Sequence, residues 1–493
     1  MIPDAADPDA VLAFGRAALT AGEEEGAIPL VTEAARRQPD HVQLHLLLAR
    51  LHRALDALAP AIAACDRAAM LAPGDAGIAQ LRAAFHLEAG RPATALFDTA
   101  LSLAPGDQPL RFARVSALLA GQRSAAAIAA LEAGLDEYPN WVEGHRRLAN
   151  LRWQAGQTEN FTARLEQALA AAPRQLALWG VLFMTLGAAD RNEALLEAAR
   201  RGRALAGGHL MFDVNEAAAL DALGETEAAG ALLDAIAGFS DPMIAHFRVR
   251  HLLRRGRIEA AAALAESWLA KPEREMFVAY LGAAWRLLGD PRAAWLEGDP
   301  RLVSICELDP GPLDALADVL RELHRQRGQP LDQSVRGGSQ TEGALFALEA
   351  PEIVRLRAAV VEAVARHIAR LPPPDPAHPT LSAARDRPIR FAGSWSVRLT
   401  GAGHHVVHRH QQGWLSSAFY VALPDGAARG PAPAGWLTLG EPPPELGLDL
   451  PAMRLIEPAP GRLVLFPSTL WHSTRPFGAG ERLTVAFDVA PPR

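Results

Sequence analysis

His404-His405-Val406-Val407-His408-Arg409-His410, and further along Trp471-His472-Ser473-Thr474 and Glu481-Arg482-Leu483-Thr484, are the stretches on which the reading of the fold turns. Between them lie the apolar runs 415–423, 435–439 and 461–466, each of strand length and bounded by Gly or Pro. Histidines two apart on a strand put both imidazoles on one face of the pleat. His408 and His410 therefore read as a pair, and His472 from a distant strand completes a facial metal site with positions left open. An i, i+3 pair alternates faces on a regular strand, so His408 with His410 is the preferred pair, and a ligand set that includes His405 is the alternative. Zinc suits a histidine-rich set as well as iron does. Arg482 follows His472 by ten residues on the last strong strand.

Working outward, strand signals dominate from Ile389 onward: FAGSWSVRLT, LSSAFYVALP, GWLTLG, AMRLIEP, GRLVLFP and ERLTVAFDVA. Six or more short strands broken by turns predict a β-sandwich or jelly roll. Before them, PEIVRLRAAVVEAVARHIARL reads as a helix that LPPPDPAHP ends. Residues 291–340 read as a connector: an amphipathic helix in LDALADVLREL, then the polar, Gly-rich QPLDQSVRGGSQT. Gln333, Arg336 and Gln340 in that loop could line a site, and an ordered bridge between domains is the plainer alternative.

The first 290 residues repeat. Prolines fall at Pro39, Pro73, Pro105, Pro139 and Pro173, with spacings of 34, 32, 34 and 34. Glycines recur between helices, among them Gly22, Gly90, Gly121, Gly156, Gly224, Gly256 and Gly289. Pro stops the second helix of each unit, and Gly caps the first and frees the turn. Seven or eight degenerate units are expected, stacked so that neighbours bury one continuous core.

The net charge is −7, charged residues make up 21%, and no basic run stands out, which argues against nucleic-acid or membrane-surface binding. Cys65 and Cys306 form neither a disulfide framework nor a metal knuckle. No signal-peptide pattern and no membrane-length apolar run is read, so a soluble cytoplasmic protein is expected.

The repeat period, with its Gly and Pro positions, resembles the tetratricopeptide repeat. QPLDQSVRGGSQT, SWSVRL, HRHQQGWLSSAFYVALP, GWLTLGEPP and GRLVLFPSTLWHSTRPF…ERLTVAFDV resemble the double-stranded β-helix of Fe(II)- and 2-oxoglutarate-dependent oxygenases, in particular bacterial ones with an N-terminal repeat array. The expected architecture is a multidomain α + β chain. It comprises an all-α repeat solenoid over 1–290, the connector over 291–340, and a jelly roll with flanking helices over 341–493. The resemblance implies Fe(II) on His408, His410 and His472, with a 2-oxoglutarate carboxylate on Arg482 assisted by Thr484 and Tyr420. It also implies hydroxylation coupled to formation of succinate and CO2. Trp395 and Trp414 read as core or pocket walls near the site.

One departure matters: the usual triad carries a carboxylate, and this chain has His410 in its place. Asp488 shares the strand parity of Arg482 and could approach the metal, although an edge carboxylate is the plainer reading. The array implies capture of a protein or peptide substrate, with scaffolding or homodimer formation as the alternative. For the whole chain the alternatives are a non-catalytic interaction protein built on a degenerate oxygenase fold and a small-molecule oxygenase.

Overall fold

The computed structural model describes residues 3–324, 328–329, 331 and 333–492. The chain forms two compact units, residues 1–137 with 342–357 and residues 138–341 with 358–492.

In the first unit eight helices run from Pro8–Ala21 to Ser124–Glu137, each packed against the next. Residues 342–357 return to this stack. Ala347 joins the core of Ala49, Leu58 and Phe85, Arg91 pairs with Glu349 at 2.9 Å, and Arg357 donates to the Leu55 carbonyl at 3.1 Å.

Each periodic proline lies two residues beyond a second helix, as in Glu24–Arg37 before Pro39 and Ala163–Ala171 before Pro173. Where proline stops the helix its carbonyl needs a donor. In four units the side chain six residues later faces it: His45, Arg111, His145 and Trp179, each at 2.8 Å. These histidines and this tryptophan are thereby structural. The turn residue is left-handed glycine at Gly22, Gly90, Gly156, Gly224, Gly256 and Gly289, but Asp56, Gln122 and Asp190 hold the same conformation elsewhere. Gly121, expected to serve the turn, has φ −79°, and its neighbour Gln122 takes the left-handed position.

The second unit holds the remaining helices of the solenoid and a curled antiparallel sheet, the jelly roll. Its strands are β1 (Ser304–Glu307), β2 (Val335–Gln340), β3 (Phe391–His408), β4 (Leu415–Ala422), β5 (Leu437–Leu439), β6 (Arg454–Ile456), β7 (Arg462–Pro467), β8 (His472–Thr474) and β9 (Glu481–Val489). The order is β1-β7-β4-β9-β3-β8-β5-β6, with β2 also on β3.

β3 pairs with β9 along residues 391–400 and then with β8 from His405 onward. The partner changes between Thr400 and His405, and a register shift follows within the β8 pairing, between His405 and His408. β1 and β2 come from the stretch read as a connector. In β2, Gly338 is demanded by close approach, since a Cβ there would lie 2.3 Å from the Arg398 carbonyl oxygen.

The helices Pro242–Arg254, Ile258–Glu266 and Val278–Leu288 share one core with the jelly roll. Val249, Leu253, Phe277, Val278, Leu281 and Trp285 pack with Leu446 and Trp471. Among the described residues no helix is long and apolar enough to cross a membrane.

Candidate metal centre

His408 ends β3 directly opposite His472 at the start of β8. His410 lies just past β3, held by its backbone N–H donating to the Ser468 carbonyl at 3.1 Å. One ring nitrogen from each of the three lies within 4.8 Å of the others. Each Nδ1 faces an acceptor: the Val406 carbonyl for His408 (2.8 Å), the Leu470 carbonyl for His472 (3.1 Å) and the Asp488 carboxylate for His410 (2.7 Å). A carbonyl or carboxylate oxygen accepts, so each Nδ1 carries the proton and each Nε2 keeps its lone pair.

That is the pattern of metal-ligating histidines. Burial, then the neighbouring His410, pushes His408 down to about 3. Burial, then neighbouring imidazoles, holds His472 well below the ordinary histidine value. The rings of His408 and His472 are thus neutral and ready for a cation.

The register shift in β3 also changes the place of His405. Strict alternation would turn it away from His408, but the shift brings the two rings nearly parallel, with centroids 5.7 Å apart and an interplanar angle of 20°. Ser334 lies between them, its Oγ 3.0 Å from His405 Nδ1 and 3.2 Å from His408 Nε2. Ser334 was missed in the sequence because a lone serine in a polar stretch gives no signal.

The pocket around the histidines, about 630 Å³, is walled by Gln333, Arg336, Gln340, Trp395, His405, Leu437, Phe466, Arg482 and Thr484 among others. Trp395 meets the His410 ring at 5.4 Å. Trp414 lies elsewhere: its indole N–H donates to the Thr380 carbonyl at 2.8 Å, and it takes no part in the pocket.

Arg482, on β9, is 2% exposed, and among the described residues no carboxylate pairs with it. Its guanidinium sits 5.0 Å from the centre of the Tyr420 ring. The Arg482 Nε and the Tyr420 hydroxyl are both buried without a hydrogen-bond partner. Adjacent orphaned donors of this kind are costly unless an anion fills the space. The residues therefore fit both a divalent metal on three imidazoles and a carboxylate-bearing co-substrate on Arg482. Asp488 is neither a ligand of this cluster nor an edge residue: it is buried on a central strand, behind His410.

A second, larger cleft of about 1710 Å³ shares the walls Met184, Asp190, Arg336, His405, Val406 and Thr474 with the histidine pocket. It is lined by the helices Leu176–Ala188, Leu210–Ala222 and Pro242–Arg254 of the solenoid and by jelly-roll loops around Glu441 and Arg475.

Residues 393–488 match the family described as "Putative 2OG-Fe(II) oxygenase". Residues 18–85 match a tetratricopeptide repeat family. The chain thus joins a tetratricopeptide array to a C-terminal domain of the 2OG-Fe(II) oxygenase type. No curated protein matches it. Among solved structures it is similar to MamA 41-end from Desulfovibrio magneticus RS-1, at 16% identity, over 34% of this chain and 96% of that one, with a TM-score of 0.30. It is also similar to the yeast Tom70, at 17% identity, over 56% and 62%, with a TM-score of 0.36.

Proposed function

We propose that this chain is an Fe(II)- and 2-oxoglutarate-dependent oxygenase that hydroxylates a side chain of a protein or peptide held along its later repeats. One observation carries the macromolecular part: the histidine pocket opens onto a cleft walled by repeat helices. Pockets for small ligands measure about 300–1,000 Å³, and this cleft exceeds that before the inner pocket is added. Met184 and Met243 line it with 60% and 47% exposure, pliable apolar contacts suited to an extended segment.

Each part of the chain has a task in this reading. His408, His410 and His472 hold the metal through Nε2, and Arg482 takes the far carboxylate of 2-oxoglutarate in its planar fork. Tyr420 and Thr484 stand beside that carboxylate as hydroxyl donors. Trp395, Leu437 and Phe466 wall the pocket against bulk water. When bound, Fe(II) would supply the centre at which dioxygen acts as the oxidant, one oxygen atom entering a substrate C–H bond and the other entering succinate as 2-oxoglutarate loses CO2.

Two measurements test the proposal. His472→Ala is expected to abolish the visible band that anaerobic Fe(II) and 2-oxoglutarate give, and to reduce succinate formation to background. Unchanged turnover would overturn the ligand assignment. For the substrate class, a peptide library is incubated with enzyme, Fe(II), 2-oxoglutarate and air, and gain of one oxygen atom is read by mass spectrometry. Met184→Glu with Met243→Glu is expected to suppress that gain about tenfold or more while the anaerobic band persists. A free metabolite oxidised equally well by this double variant would favour the small-molecule reading.

A further inference from the structure

Asp488 is a buried carboxylate that no lysine or arginine among the described residues accompanies. It is 7% exposed on β9, between β3 and β4. Its Oδ1 accepts from His410 Nδ1 at 2.7 Å and from Ser416 Oγ at 2.7 Å. Ser416 Oγ lies 2.9 Å from Ser468 Oγ, and the Ser468 carbonyl takes the His410 backbone N–H at 3.1 Å. One small network thus fixes both the main chain and the ring of His410. Gly413 is part of the fit, because a Cβ there would come within 2.5 Å of Ser468 Oγ and 3.0 Å of Asp488 Cβ.

A buried carboxylate needs a positive partner, and leaving one uncompensated is strongly destabilising. The geometry supplies a single route. His410 donates a hydrogen bond from Nδ1–H to Asp488, which leaves Nε2 for the cluster with His408 and His472. A cation on that Nε2 is neutralised through the ring. We propose that Asp488 supplies, through His410, the negative charge that a directly bound carboxylate supplies in a two-histidine, one-carboxylate site. The ligand that the sequence lacks is thus displaced outward by one imidazole. Asp488 is a positioning residue: it sets the tautomer of His410, its ring orientation and its electron donation to the metal. The inference rests on reading the three histidines as metal ligands.

The test is equilibrium titration of the metal-stripped full chain with Co(II), followed by its visible absorption, with thermal unfolding of the metal-free protein alongside. Asp488→Asn keeps the shape and removes the charge. It is expected to weaken Co(II) binding about 10- to 100-fold, the range for loss of such a supporting carboxylate, while the metal-free melting point stays level or rises. A merely structural aspartate would give the reverse: a lower melting point and unchanged affinity.

The double variant His410→Asp with Asp488→Asn moves the carboxylate to the ligand position, and is expected to regain Co(II) affinity to within a few-fold of the parent. Should Asp488→Asn fail to fold, that double variant still decides, because affinity far below the parent overturns the charge argument. Equal Co(II) affinity of parent and Asp488→Asn overturns this inference alone. A parent that binds no Co(II) overturns the three-histidine reading beneath it.

Discussion

A chain shortened to residues 291–493 is expected to be insoluble, or soluble without metal binding, rather than an active minimal enzyme. Both segments that carry the histidines are anchored in the last helices of the solenoid. Trp471, next to His472, is 4% exposed and meets Tyr280 edge-on at 5.1 Å, within a core that Val249, Phe277, Val278 and Trp285 complete. Truncating a buried tryptophan costs about 3–5 kcal/mol, and the deletion would strip this one of its solenoid partners.

On the other side, Arg409 stands between His408 and His410 and donates to the carbonyls of Glu275 at 2.7 Å and Met276 at 3.0 Å. Arg286 adds a donation to the Pro451 carbonyl at 2.6 Å. A finer version keeps the solenoid: Arg409→Ala is expected to lower succinate formation about tenfold or more and the melting point by a few degrees. Small misplacements of reacting groups are costly in rate, and each of the two carbonyls loses a charged donor. Purified 291–493 with full turnover on a small substrate would mean that these anchors are dispensable, and would move the function toward a small-molecule oxygenase.

This dependence could not be read from the sequence, although the elements on either side of it could. The proline period is visible because proline must stop a helix wherever it falls after the second one. The glycine period is only partly visible, because Asp56, Gln122 and Asp190 also tolerate the left-handed turn. The strands from Phe391 onward announce themselves by apolar alternation.

β1 does not, being four residues long with only alternate partial burial. β2 does not because Gly337 and Gly338 interrupt its pattern. The same limit applies at the site. The spacing of His408 and His410 and the ten residues from His472 to Arg482 are local signals, and the structure brings all four residues to one pocket. The role of Asp488 behind His410 depends on a cross-strand neighbour, and His405 depends on a register shift; neither has a sequence period.

Arg482→Ala is expected to separate the two halves of the site, leaving metal affinity nearly intact and removing 2-oxoglutarate. Burial lowers the guanidinium's basicity, which the nearby Tyr420 partly offsets, yet the group stays charged at any physiological pH. A buried, fully charged fork aimed at a carboxylate contributes about 3 kcal/mol or more, which corresponds to roughly 100-fold or more in 2-oxoglutarate affinity. Arg482→Lys keeps the charge without the fork and is expected to fall between the two.

Stability should move the other way. With no counter-ion among the described residues and an unpartnered Nε, Arg482 burdens the co-substrate-free protein, so Arg482→Ala is expected to melt no lower than the parent in the absence of 2-oxoglutarate. The parent alone should gain melting temperature when 2-oxoglutarate is added, because ligand that binds only the folded state stabilises it by mass action. If 2-oxoglutarate still raises the melting point of Arg482→Ala as it does the parent's, another cation holds the carboxylate. Arg336 is then the residue to change next, because it lines both the histidine pocket and the outer cleft.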